Sequence, residues 1–188
     1  MSTSDPIDQR ITHKHRRVFR DDLVTWFDGD PRDMPWRGTD DPYRIWLSEV
    51  MLQQTRVDQA RPYYERFVAA FPTVETLAAA DLDDVLRLWE GLGYYSRARN
   101  LHKAARRVVE TFGGRFPDTY DAISTLPGVG PYTAAAVLSI AFGRPHAVLD
   151  GNVIRVLTRV FTIKDEISKS RTRKQLQHLA DVLLPPSR

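Results

Sequence analysis

Three features of the sequence could do chemistry. The first is Glu49, whose side chain falls on a helical wheel between Ile45, Leu52 and Gln53, on a helix that is apolar around most of its circumference. A carboxyl group there loses solvent, which favours its neutral form and suits it to hold and then donate a proton near neutral pH. The alternative is a structural glutamate held by an arginine or a backbone amide. The second is Asp150, which follows the apolar triplet Ala147-Val148-Leu149 and precedes Gly151-Asn152 and a helix. By itself that placement reads as an N-cap. The third is the segment Leu126-Pro127-Gly128-Val129-Gly130-Pro131-Tyr132-Thr133-Ala134. Two glycines one residue apart, ahead of a small-residue helix, permit a tight hairpin whose backbone amides can hold a phosphate without reading its base. An ordinary helix-to-helix turn is the plainer reading of a bare Gly-x-Gly.

These residues must be positioned by helices. Apolar periodicity of the helical kind recurs from end to end, with no bounded run of alternating apolar and polar residues, so the chain is predicted to be all-α. The spacing predicts helices over Gln9–Phe27, Tyr43–Thr55, Val57–Ala70, Thr76–Ala80, Leu82–Trp89, Arg97–Phe112, Tyr120–Ser124, Pro131–Phe142, Asn152–Phe161 and Arg171–Leu184. Gly and Pro mark the joints, at Phe71-Pro72, Gly91-Leu92-Gly93, Gly113-Gly114, Phe116-Pro117, the hairpin and Gly143-Arg144-Pro145. Within Arg97–Phe112, Arg99, Lys103, Arg106 and Arg107 share one broad face opposite Leu101, Ala104, Ala105 and Val108. Such a face is either solvated or a source of salt-sensitive affinity for nucleic acid.

Composition narrows the chemistry. With 188 residues, 42% of them hydrophobic, the chain can bury one substantial core or two small helical lobes. Cysteine is absent, which excludes disulfides, thiol catalysis and any cysteine-ligated metal within these residues. The five histidines are scattered without ligand spacing, so no protein-bound metal is expected. Basic residues number 27 and acidic ones 24, too even a balance to name a partner. No apolar run approaches bilayer length, and Met1 to Arg20 lacks the apolar middle of a secretion signal. A cytoplasmic, nucleoid-associated protein is the expectation.

Longer strings carry more information. Met34-Pro35-Trp36-Arg37, Trp46-Leu47-Ser48-Glu49-Val50-Met51-Leu52-Gln53-Gln54-Thr55, Gly91-Leu92-Gly93-Tyr94-Tyr95-Ser96-Arg97-Ala98-Arg99-Asn100-Leu101, the hairpin, and Ala147-Val148-Leu149-Asp150-Gly151-Asn152-Val153 occur in order. Together they resemble the helix-hairpin-helix glycosylases of the endonuclease III superfamily, and among them the MutY-type adenine glycosylases, nearly without gaps from Met34 to Leu157. The resemblance implies two helical lobes with the catalytic cleft between them. In that division residues 1–33 supply an N-terminal helix to the second lobe, 34–145 form the central domain ending in the hairpin, and 146–188 open the rest of the second lobe.

The resemblance also implies roles. Glu49 would protonate the departing adenine, and Asp150 would stabilise or capture the cation-like sugar. Tyr132 stands where backbone-cutting relatives place a Schiff-base lysine, which implies a monofunctional enzyme that leaves an abasic site. Gln53, Gln54 and Tyr94 would enter the duplex or contact the lesion pair, with Tyr94 as an aromatic wedge beside the extruded base. Leu126, Gly128, Val129 and Gly130 would meet the DNA backbone, and Trp36, Arg37, Arg97 and Asn152 would support DNA binding. The partner is double-stranded DNA carrying adenine opposite 8-oxoguanine or guanine, acted on by a monomer.

MutY-type enzymes continue with further helices, four cysteines that hold a 4Fe-4S cluster and a domain that recognises 8-oxoguanine. None of these lies within the 188 residues. The sequence is accordingly expected to be a fragment or a cluster-free relative, with exposed apolar surface on its second lobe and weak preference for 8-oxoguanine over guanine. Two rival readings are a same-fold glycosylase for another base, such as mismatched thymine, and a DNA-binding module without turnover.

Overall fold

The computed structural model describes residues 12–29 and 32–185. Among the described residues every regular element is helical: α1 (His13–Gly29), α2 (Pro42–Met51), α3 (Val57–Ala70), α4 (Val74–Ala79), α5 (Leu82–Trp89), α6 (Ser96–Phe112), α7 (Tyr120–Ile123), α8 (Pro131–Phe142), α9 (Gly151–Val160) and α10 (Ser170–Leu183). Residues 9–11 of the expected first helix, the turn residues Asp30 and Pro31, and the tail beyond Pro185 lie outside the described residues. The chain divides into two compact units, Asp33–Arg144 and a second made of Met1–Arg32 with Pro145–Arg188.

The larger unit is built around α2. Asp41 caps it, its side chain accepting from the Tyr43 amide at 2.9 Å, and Pro42 opens the first turn, where a missing N–H costs nothing. Tyr43, Ile45, Trp46, Leu47, Val50 and Met51 are all buried, sealed by α3, α6 and α8. Each such side chain contributes about 1.5–3 kcal/mol through burial. The Tyr43 hydroxyl donates to the Phe71 carbonyl at 2.7 Å, tying the start of α2 to the end of α3. Helix α8 packs against α2, with Ala134, Val137 and Leu138 fully buried in the same core, and ends where Gly143 takes a left-handed φ of 61°.

Several expected boundaries shift, and α1 runs on to Gly29 rather than ending at Phe27. Helix α4 starts at Val74 rather than Thr76, because Thr73 and Thr76 form a reciprocal capping box. Helix α2 ends at Met51 rather than Thr55, where the carbonyls of Val50, Met51 and Gln53 come within reach of the Arg97 guanidinium and Val50 accepts from the Gln53 amide in a tighter turn at 3.4 Å. Along α6 the charge segregation is present as drawn from sequence: Arg99, Lys103, Arg106 and Arg107 are exposed, while Leu101, Ala104, Ala105 and Val108 are buried.

The second unit has its own small core of Leu157, Leu176, Leu179, Ala180 and Leu183. Helix α1 is clipped to the end of α10 by Arg20, which donates to the carbonyls of Val182, Leu183 and Leu184 and so satisfies acceptors the helix leaves open. The rings of Phe19 and Phe161 meet at 5.8 Å. No residue of α1 is buried, and Trp26 stands 71% exposed beside exposed Val24 and Phe27.

Burial pushes the hydroxyls of Tyr43 and Tyr64 above the ordinary tyrosine range. The unfolded chain therefore ionises them first, so their contribution is complete below pH ~10 and declines as pH rises beyond it. Urea midpoints measured from pH 8 to 11 should fall at the alkaline end, and Tyr43→Phe should flatten that fall while losing ~1 kcal/mol at neutral pH for the orphaned Phe71 carbonyl. An unchanged alkaline slope in the variant would rule out Tyr43 as its source.

Candidate functional site

Glu49 on α2 is half-buried, as is Arg44 nearer the start of the helix, whereas its neighbours Ser48 and Val50 are 2% and 5% exposed. One turn later Gln53 donates through Nε2 to the Thr133 hydroxyl at 3.3 Å. Thr133 is buried in the first turn of α8, directly after Tyr132, which is 40% exposed. The C-terminal end of α2 and the N-terminal end of α8 are thereby joined, which puts Gln53 beside the residue after Tyr132. Thr133 was not singled out from sequence. Its signal was a hydroxyl on the buried face of an otherwise alanine-rich turn.

The hairpin precedes α8. Leu126 donates to Ile123 and Val129 to Leu126, both at 3.1 Å, and the chain enters α8 through Gly130 and Pro131. Gly130 brings no capping side chain and Pro131 no N–H. Leu126 and Val129 are 2% and 9% exposed and belong to the core. Their side chains anchor the hairpin from within, so any contact they make with a ligand runs through their backbone. Gly128 has a φ of 77°, and a Cβ added there would lie 2.8 Å from the Asn100 Cβ on α6. Here glycine is demanded both by conformation and by close approach.

Arg97 corrects an expectation. Instead of facing a ligand it is 8% exposed and its guanidinium reaches inward. Nη1 lies 3.1, 2.9 and 2.6 Å from the carbonyls of Val50, Met51 and Gln53 and 3.2 Å from the Thr55 hydroxyl. Nη2 lies 3.2 Å from the carbonyls of both Leu92 and Gly93. Burial holds this guanidinium below the usual arginine range. Above it sits the loop 90–95, where Trp89 donates to Gly93 at 3.0 Å and Tyr94 is held at φ 49° with 61% of its surface exposed. Gln54, at φ 57°, is exposed likewise. Non-glycine residues in this region cost about 1–3 kcal/mol each and persist only where the surroundings hold them. Trp36 packs edge-on against Tyr64 at 5.2 Å, and Arg37 is exposed.

Asp150 and Asn152 belong to the other unit. Asp150 caps α9, with Oδ1 accepting from the Val153 amide at 2.7 Å and Oδ2 from the Asn152 amide group at 3.2 Å. Asn152 in turn accepts from Arg155 at 2.9 Å. The N-cap reading of Asp150 is therefore correct as far as it goes, and it leaves a carboxylate fixed in orientation by two donors. Arg155 escaped notice because an exposed arginine one turn into a helix looks like any solvated charge.

Among the described residues no group of three or more His, Cys, Asp or Glu side chains could hold a metal ion. An iron–sulfur cluster does not fit the 188 residues, which contain no thiolate donor. No helix of the described residues is long and apolar enough to cross a membrane.

Residues 47–181 match the family model for HhH-GPD superfamily base excision DNA repair proteins. The adenine DNA glycosylase of Homo sapiens is 46% identical over 180 residues, which cover 91% of this chain and 33% of that protein. That of Buchnera aphidicola subsp. Acyrthosiphon pisum is 39% identical, covering 89% of this chain and 48% of its own. The chain thus spans between a third and a half of the length of these curated relatives. Among solved structures, a thermostable thymine-DNA glycosylase superposes with a TM-score of 0.81 at 34% identity, covering 92% of this chain and 79% of that one. A trapped endonuclease III–DNA covalent intermediate superposes at 0.75 with 23% identity, covering 93% and 79%, a likeness of fold.

The two hairpin glycines separate conformation from space. Gly128→Ala should destabilise the protein by ~1–3 kcal/mol, through left-handed strain and the clash with Asn100. Gly130, at φ −92°, has nothing within 4 Å of an added Cβ, so Gly130→Ala should change stability by less than about 1 kcal/mol. Equal urea midpoints for the two variants would contradict this account of the hairpin.

Proposed function

The chain belongs to the HhH-GPD superfamily of base excision DNA repair proteins, and we propose that it is a monofunctional DNA N-glycosylase that excises adenine mispaired with 8-oxoguanine or guanine. The observation that carries the proposal is the half-buried Glu49 between the buried Ser48 and Val50, one turn before the Gln53–Thr133 bond that ties this helix to the hairpin. The identity to adenine DNA glycosylases, at 39–46% over about nine-tenths of the chain, supports adenine as the base.

In this reading the hairpin backbone and the start of α8 hold a phosphate, which fixes the register of the duplex without reading it. Tyr94, rigid and exposed, enters the stack that the adenine leaves, offsetting part of the few kcal/mol of unstacking. Glu49, protonated, gives its proton to the departing adenine as the glycosidic bond breaks. The electron pair leaves with the base and the sugar becomes cation-like. Asp150 stabilises that cation, its orientation kept by the Val153 and Asn152 donors. Glu49, now ionised, takes a proton from the water that completes the abasic product. With Tyr132 where an amine would be needed for a Schiff base, the DNA backbone stays intact.

The thymine-DNA glycosylase likeness favours one second reading, removal of thymine from a T:G pair by the same residues. Single-turnover assays on A:8-oxoguanine, A:G and T:G duplexes separate them. Adenine release from the first two is expected, and free thymine alone would overturn the choice of base. Glu49→Gln should lower the rate by at least about 100-fold. Asp150→Asn keeps an N-cap side chain, so thermal stability should hold while the rate falls, by a factor on the order of 100, for want of the charge. Duplex binding with no base released from any substrate would leave a binding module.

A further inference from the structure

The Arg97 cluster joins two segments that are far apart in sequence. Residues 50–55 run out of α2, residues 92–93 belong to the loop before α6, and one guanidinium serves both. Nη1 has two hydrogens and four oxygens within reach, so those contacts are shared, and the attraction is that of one buried cation for a crowd of carbonyl dipoles. Nη2 faces the Leu92 and Gly93 carbonyls on the other side. The guanidinium carbon lies 5.4 Å from the ring centroids of both Trp89 and Tyr94. Gln54, between the clamped Gln53 and Thr55, and Tyr94, directly after the clamped Gly93, are both exposed residues with left-handed backbone. A flat, two-pronged cation can bridge both stretches, whereas an ammonium on a flexible stem cannot.

We propose that Arg97 is a positioning residue that locks Gln54 and Tyr94 into one rigid pair, so that both present themselves to the duplex already in their working geometry. Its importance for base extrusion rests on the glycosylase reading above. The coupling between the two segments does not. Arg97 itself stays inside the protein and neutralises no phosphate.

Arg97→Lys tests both parts. By hydrogen exchange, amides of residues 52–55 and 92–95 should exchange together, about 10-fold faster or more, while amides of α8 keep their protection. In single-turnover assays at saturating A:G duplex the rate should fall about 10- to 100-fold, with the salt slope of binding unchanged. Tyr94→Ala should remove most of the sensitivity to Arg97→Lys, the non-additivity expected of residues acting as a unit. Should Arg97→Lys fail to fold, Thr55→Val removes one acceptor from the first segment only, and faster exchange at residues 92–95 is still expected. Loosening confined to residues 52–55, additive effects on rate, or a salt slope reduced by about one would overturn the proposal. If the wild type releases no base, the glycosylase reading falls and the exchange experiment still decides the coupling.

Discussion

A helix buried on every side can carry polar chemistry only where it emerges. Helix α2 is nearly in that position: Trp46 and Leu47 have no exposed surface, and its only partly exposed polar side chains are Arg44 and Glu49. The cost of stranding a polar group inside such an interface runs to several kcal/mol. Ser48 meets that demand by donating to the Ile45 carbonyl at 2.8 Å, and Tyr43 by donating to Phe71. Glu49 lies two residues before the last residue of α2 and Gln53 two residues after it, and both are half-buried. The half-buried polar pair at this end of the larger unit is thus a by-product of how its core closes.

Much of this was legible in sequence, for reasons that differ by element. Helices over 57–70, 82–89 and 131–142 begin and end where the periodicity and the Gly or Pro joints place them, because backbone chemistry decides those boundaries locally. The end of α2 was not legible, since its periodicity continues to Thr55 and a side chain more than forty residues away competes for the carbonyls. Arg97 was assigned to DNA binding by resemblance, which carries over a motif without saying which of its arginines face inward. The helical interval tells them apart: Arg97 shares the face of Leu101, Ala104 and Val108, all buried, whereas Arg99 is exposed. A cation in register with an apolar stripe is better read as an interior strut than as a ligand contact.

The structural duty of Asp150 would prepare it for the chemical one proposed for it. Capping α9 fixes one carboxylate oxygen, and the Asn152–Arg155 chain steadies the other. A residue recruited to end a backbone problem at a helix start is thereby preorganised, a condition that electrostatic stabilisation of a developing cation requires. Exposed ion pairs such as Arg87–Asp84 and Arg106–Glu110 lack this fixity and contribute little.

The contact of Gly128 with Asn100 also limits how the molecule can be rewritten over generations. The atom that an added methyl would strike is the Asn100 Cβ, which every amino acid but glycine possesses. Trimming the neighbour to alanine therefore leaves the obstruction in place. A mutation at the hairpin glycine has no single-step suppressor at position 100 short of a second glycine, which would loosen α6 in the helix that carries Arg97. The two positions must travel through sequence space under a lopsided rule, one free to change its chemistry and the other bound to have no side chain at all.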